Sequence, residues 1–218
     1  MKNKMWRFLT NPRKATYLLL LFYAVGVAGM VFEFSRPWFI RLIPFALLLS
    51  TFLLIIHHKG TKNMRMAIVL AVLYLAGFFV EVLGVNTGLI FGEYSYGQGL
   101  GWKVFNTPLM IGLNWVLLIY TSASVLQSLG WKSPAIVAGG ATMMLTYDLV
   151  LEEVAPVMDM WTWSAAGVPV QNYISWWVIA ALMHALVASN RLKFTNRLAM
   201  PVILIQFIFF TIIYIFIR

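Results

Sequence analysis

Three carboxylates fall close together in "DLVLEEVAP", residues 148–156: Asp148, Glu152 and Glu153. They close a segment, "SPAIVAGGATMMLTYDLVL", that otherwise reads as membrane-buried. A charged side chain at the bilayer centre costs roughly 3 kcal/mol on insertion scales, so such residues are rare and functional by default. Glu81 interrupts a second apolar run, "RMAIVLAVLYLAGFFVEVLGV". A desolvated carboxyl favours its protonated form and can act as a general acid. A second carboxylate can orient water or take up a proton, and aromatic faces stabilise cations. Together these groups suit protonation of an alkene in an apolar substrate, followed by capture or rearrangement of the carbocation. The same groups serve a proton-coupled transporter, and the residues alone leave both readings open.

The elements that must carry these acids are membrane helices. The chain has 218 residues, of which 61% are hydrophobic, 16% aromatic and 11% charged. Soluble domains average about 25% charged residues. Mean hydropathy is +0.84, that of an integral membrane protein. A span needs roughly 20 apolar residues. Seven candidate spans run approximately 15–34, 38–56, 65–85, 107–128, 133–152, 170–188 and 198–217. The expectation is an all-α polytopic bundle of about seven helices, one membrane domain over residues 1–218. The fifth span, Gly-rich and polar at its end, has a re-entrant segment as its alternative. The first apolar run has no convincing cleavage site after it and reads as a retained helix.

Lys and Arg set the expected orientation. Lys2, Lys4, Arg7, Arg13 and Lys14 precede the first span, and Lys59, Lys62 and Arg65 follow the second. Lys132, Arg191, Lys193 and Arg197 fall on the same side, against Arg36, Arg41, Lys103 and Arg218 on the other. This predicts a cytoplasmic N-terminus and an external C-terminus in the cytoplasmic (inner) membrane. The net charge of +9 is then a topology signal, aided by anionic lipid, and not a mark of nucleic-acid binding. All seven carboxylates, Glu33, Glu81, Glu93, Asp148, Glu152, Glu153 and Asp159, fall toward the external face. Glu81 and Asp148 lie at similar depth, roughly 23 Å from the cytoplasmic helix ends. Asp148 and Glu152, four apart, share a helix face.

The two long outer connections resemble each other. An intramembrane acid, Glu81 or Asp148, is followed by a second acid, Glu93 or Asp159. Aromatic–x–aromatic pairs come next, Tyr94 with Tyr96 and Trp161 with Trp163. Pro108 or Pro169 then opens the following helix, where proline is well tolerated, and Asn114 with Trp115 or Asn172 with Trp176 follow. The expectation is a parallel pseudo-repeat, about 65–128 and 133–188, enclosing a pocket at the outer half of the bundle.

Other chemistries lack their residues. There is no cysteine, so disulfides and thiol catalysis are excluded. "AMPVILIQFIFFTIIYIFI" has no lysine to form a retinal Schiff base, and no P-loop, GxGxxG or GxSxG motif occurs. His57 and His58 read as solvated in a basic turn, and His184 lies toward the inner end of its helix, so no metal cluster is expected.

The stretches "EVLGVNTGLIFGEYSY", "TPLMIGLNW", "DLVLEEVAPVMDMWTW" and "GVPVQNYISWW" resemble the membrane-bound carotenoid biosynthesis proteins, a family that includes bisanhydrobacterioruberin hydratase and γ-carotene 1',2'-hydratases. The resemblance covers roughly residues 65 to 190. It implies a hydro-lyase that adds water across the terminal C1–C2 double bond of an acyclic ψ end, giving a tertiary alcohol without a cofactor. The expected partners are a carotenoid, water, membrane lipid and neighbouring pathway enzymes. Asp148 is the first choice of proton donor and Glu81 the second, with Glu152 or Glu93 handling the water. Tyr94, Tyr96, Trp115, Asp159, Trp161, Trp163 and Trp176 would line the polyene end, and Asn114 and Asn172 would bind the water or fix an acid.

Alternatives remain at this stage. Glu81 and Asp148 could pair with Arg36 or Arg41 or cap neighbouring helices. A membrane lycopene-cyclase type of reaction also begins with alkene protonation and differs only in what captures the cation. A carrier or a lipid- or carotenoid-binding protein is a different class. Transport is disfavoured because the inner halves of the helices read as almost free of polar residues apart from His184.

Overall fold

Helix starts follow the expected capping chemistry. Asn11 accepts from the Lys14 amide (3.2 Å) ahead of α2 (Pro12–Val31), which has proline in its first turn. Asn63 does the same for α5 (Met64–Thr87), accepting from the Met66 amide at 2.9 Å. Gly88, at φ +67°, ends α5 in the left-handed conformation that favours glycine. A short helix α1 (Lys2–Leu9) precedes α2.

The computed structural model describes residues 2–217. Arg218, counted above on the external side, lies outside the described residues. After α2 come α3 (Arg36–Ile40), α4 (Ile43–His57) and α5. Strands β1 (Tyr94–Tyr96), β2 (Lys103–Val104) and β3 (Thr107–Pro108) lead to α6 (Leu109–Ser128) and α7 (Ser133–Val154). Strand β4 (Trp161–Trp163), α8 (Val170–Ser189) and α9 (Ala199–Ile217) complete the fold. The protein is an all-α polytopic membrane bundle. Six of the described helices are long and apolar enough to cross a membrane.

The second expected span departs from this pattern. A continuous helix over 38–56 was expected, but the chain turns at Arg41 and Leu42, leaving α4 only 15 residues long. Pro44 explains the break: in a continuous helix its ring would clash with the carbonyl four residues earlier, that of Ile40. The fifth span is a full 22-residue helix, α7, not a re-entrant segment.

α6 is the axis of the bundle. It packs against α4, α5, α7, α8 and α9, and its apolar stretch is 78% buried, against 28–39% for the other five spans. α7 packs along α8, and α2 along α9. The remaining helices therefore turn much of their surface outward, with large apolar side chains such as Leu21, Ile55 and Leu182 exposed. That is the distribution expected where lipid is the solvent.

Candidate active site

The two connections, α5 to α6 and α7 to α8, meet over one end of the bundle. β1 pairs antiparallel with β4, in the register Tyr94 with Trp163, Ser95 with Thr162 and Tyr96 with Trp161. Strand alternation sends Ser95 and Thr162 outward and turns the four aromatic rings inward onto the helix ends. The ribbon is an aromatic lid, and each half of it binds a different acid.

Glu81, on α5, is 3% exposed. Its Oε2 accepts from the hydroxyls of Tyr94 and Tyr96, both at 2.7 Å, and its Oε1 from the indole N–H of Trp115 at 3.1 Å. Burial first, and the Glu81 carboxylate beside them second, push both phenols above their ordinary range, so both remain protonated and donate. Glu152, on α7, is the counterpart. Its Oε2 accepts from the indoles of Trp161 (2.9 Å) and Trp163 (2.7 Å), and its Oε1 from the Asn172 amide (3.0 Å).

Asp148 lies one turn deeper on the same face and is fully buried. Its Oδ2 accepts from the same Asn172 amide at 3.3 Å, while Oδ1 has no hydrogen-bond partner among the described residues. Asn172 thus bridges the two α7 acids. Trp115 and Trp176 stack at 4.2 Å and 17° between α6 and α8. Each is the seventh residue after the proline that precedes its helix, Pro108 or Pro169, which sets the two rings at matching depth. Gly77 makes room on α5: a Cβ there would stand 2.7 Å from the Trp115 side chain.

Glu81, Glu152, Asn172, Trp176, Ile111 and the four lid aromatics enclose one chamber together with Phe91. Its free space is about 10 Å³, at the threshold for a single water molecule. The chain therefore brings Glu81, Glu152, Tyr94, Tyr96, Trp161, Trp163, Asn172 and Trp176 to one chamber, with Trp115 and Asp148 immediately behind.

Other expected residues lie elsewhere. Glu93 is exposed and outside the chamber. Asp159 is exposed as well, at φ +49°, and staples the two loops by accepting from the Gln98 amide through its carboxylate (3.0 Å) and from the Gly99 amide through its carbonyl (2.6 Å). Asn114 sits on a different face of α6, toward an apolar cavity. It is the sixth residue after its proline, whereas Asn172 is the third after its own, so the two were never equivalent in position. Arg36 donates to the carbonyls of Met30 and Val31, and Arg41 lies over the Trp38 ring, so neither answers an acid of the chamber.

Two readings at the opposite end also change. His57 and His58 are buried, not solvated. His58 bonds the Tyr120 hydroxyl (2.7 Å) and the Thr61 carbonyl (2.8 Å), because the chain after α4 folds back over its own end. That half of the bundle also buries Thr121, Ser122 and Ser124 beside His184, more polar groups than the sequence was read to hold. Thr121 and Ser122 bond carbonyls of their own helix, and Ser122 also meets His184 at 2.9 Å.

A model of the carotenoid biosynthesis protein family matches residues 41–218, which include every element of the chamber. Among characterised proteins, bisanhydrobacterioruberin hydratase of Haloarcula japonica is 29% identical over 191 residues, a match covering 78% of this chain and 62% of that protein. The chain thus spans less than two thirds of that relative's length. No solved structure matches it. A buried carboxylate chamber under an aromatic lid, in a membrane bundle, fits this similarity, and the chain belongs to the carotenoid biosynthesis protein family.

Proposed function

We propose that the protein is a carotenoid hydratase, adding water across the terminal C1–C2 double bond of an acyclic end. The observation that carries this reading is the facing of Glu81 and Glu152 across one water-sized chamber, each held by three donors, with a third carboxyl behind one of them. Hydration of an alkene needs one acid, one base and one water. The reaction is redox-neutral and calls for no cofactor.

The steps follow from the donor inventory. Asp148 and Glu152, bridged by Asn172, carry the proton as a pair, and Glu152, the member that lines the chamber, presents it to C2. The electron pair of the double bond takes that proton, leaving a tertiary cation at C1. Faces of the lid aromatics and of Trp176 stabilise the cation electrostatically. Water in the chamber attacks C1, and Glu81 takes the proton released from the resulting oxonium. A proton then returns from Glu81 to the Asp148–Glu152 pair before the next turnover. Asp148 is thus the reservoir behind the donor and not the group that touches the substrate.

In this reading the N-terminus is cytoplasmic and the chamber lies toward the external face of the cytoplasmic membrane, the orientation that the lysines and arginines favour if α4 also crosses the membrane. Cyclisation begins with the same protonation and differs in excluding water. The water-sized space between two carboxylates favours hydration over it.

Expression of the full chain in bacteria that make lycopene or γ-carotene, with pigments separated by chromatography and weighed by mass spectrometry, tests the proposal. The expected product is more polar and heavier by one water. An isomer of unchanged mass would replace hydration by cyclisation. Unchanged pigments, with the protein demonstrated in the membrane, would count against both.

A further inference from the structure

Next to the chamber lies a second cavity, of about 190 Å³, between α2, α4, α6, α7 and α9. No charged residue is among its lining. Ile111 lines both spaces and is the partition between them. On the far side the rim is formed by Val25 and Leu42, 51% and 42% exposed, so the cavity opens sideways between α2 and the start of α4 onto the lipid-facing surface. Gly26 forms part of the wall and keeps it thin: a Cβ there would already stand 3.3 Å from the Phe209 ring.

The polar groups of this cavity divide into two kinds. Tyr23, Tyr147 and Gln206 are tied to one another: Gln206 donates to Tyr23 (2.9 Å) and Tyr147 to Gln206 (3.4 Å). Asn114 differs. It is 6% exposed, it lines the cavity, and its amide makes no hydrogen bond among the described residues. Its polar atoms open onto the cavity, where a ligand or a water molecule can complete them.

We propose that this cavity is an isoprenoid-binding site, a lateral entrance that takes the end of a linear polyene from the bilayer to the partition at Ile111, with Asn114 holding the hydroxyl of the alcohol on its way out. The proposal rests on the hydratase reading for the alcohol, and on geometry alone for the entrance. The space is below the ~300 Å³ at which pockets enclose a whole drug-sized ligand, so only a chain end is held and the rest of the polyene stays in lipid. Methionine, isoleucine, leucine and phenylalanine side chains line the path, the surface that an acyclic, methyl-branched hydrocarbon packs against. The path leads to the space that, among the described residues, two buried carboxylates line together.

The test uses the full chain in lipid nanodiscs and a linear isoprenoid hydrocarbon bearing a terminal diazirine. After photolysis, peptide mass spectrometry should place the label on lining residues such as Met30, Leu47 and Phe209. Gly26→Phe, which fills the cavity from α2, should lower that labelling about tenfold or more through lost apolar contact. Ile43→Trp, from α4, should do the same and guards against misfolding of the first variant. Asn114→Leu should weaken competition by the tertiary alcohol severalfold and leave competition by the parent hydrocarbon unchanged. Label spread over outward residues such as Leu21 and Ile55, and indifferent to both filling variants, would overturn the entrance. Equal loss for alcohol and hydrocarbon in Asn114→Leu would overturn the role of the amide. Pigment conversion is read separately. Cavity labelling without a hydrated product would keep the entrance and sink the hydratase reading; a hydrated product with label only outside would do the reverse.

Discussion

Tyr94 and Trp163 face each other across the β1–β4 ribbon, their rings 5.1 Å apart, yet they donate to different acids: Tyr94 to Glu81 and Trp163 to Glu152. One two-stranded lid therefore sets the positions of two carboxylates carried on separate helices. Hydrogen bonds to charged groups contribute roughly 1.5–3 kcal/mol each, and removing one donor leaves the acid free to shift.

Tyr94→Phe and Trp163→Phe should each lower the proposed hydratase activity about tenfold to a hundredfold, since each removes one such bond. Because the two residues act on one chamber, the double variant should lose less than the product of the single losses. Pigment conversion at matched membrane expression measures it. Full multiplicative loss would show the two carboxylates working independently.

Asp148→Asn should abolish product while expression and membrane insertion stay normal. The substitution preserves shape and removes the carboxyl that, in the proposed mechanism, shares its proton with Glu152. Glu152→Gln should have the same effect. Conversion retained in Asp148→Asn would remove it from the proton path, and the same result in Glu152→Gln would remove the donor.

Asn172→Leu should cost about 1–3 kcal/mol of stability, because it strips Asp148 of its one donor and Glu152 of one of three. It should also lower conversion severalfold by uncoupling the two α7 acids; thermal unfolding in detergent reads the stability and pigment conversion the activity. A variant as stable and active as wild type would show that the bridge between the α7 acids has no consequence.

Gly77→Val offers a test at a distance. The added side chain meets Trp115, which is fully buried and donates to Glu81. Activity should fall at least tenfold although no carboxylate is altered, as expected when a positioning group is displaced by about an ångström. Intrinsic fluorescence should shift as the Trp115–Trp176 stack is disturbed. Unchanged fluorescence with normal activity would mean that the α5–α6 contact is softer than its geometry implies.

Much of the fold was legible because the apolar runs are long and the prolines fall at helix starts. Pro169 and Pro108 sit at the N-caps of α8 and α6, as their positions predicted. The expected span over 38–56 runs through Pro44, because hydropathy does not register a break that backbone sterics impose. The site was legible in type more than in partnership. Asp148 stands thirteen and fifteen residues before Trp161 and Trp163, the same spacing as Glu81 to Tyr94 and Tyr96. Spacing thus named Asp148 as the counterpart of Glu81, whereas the indoles bond Glu152. A tyrosine hydroxyl stands at the tip of its ring and an indole N–H on its flank. The shorter reach meets a carboxylate one turn nearer the ribbon, and Asn172 spans the remaining gap. Glu93 and Asp159 were grouped with the acids by sequence proximity, but loop geometry turns both outward, which no spacing rule reveals.

The most direct test of acid-catalysed hydration is isotopic. The purified protein, in lipid, is supplied with an acyclic carotenoid in water enriched in both deuterium and oxygen-18, and the product is weighed. Proton delivery to C2 and water capture at C1 predict one carbon-bound deuterium and one oxygen-18 per hydrated end. Deuterium incorporated without oxygen would contradict hydration and leave a cation that closes on its own chain.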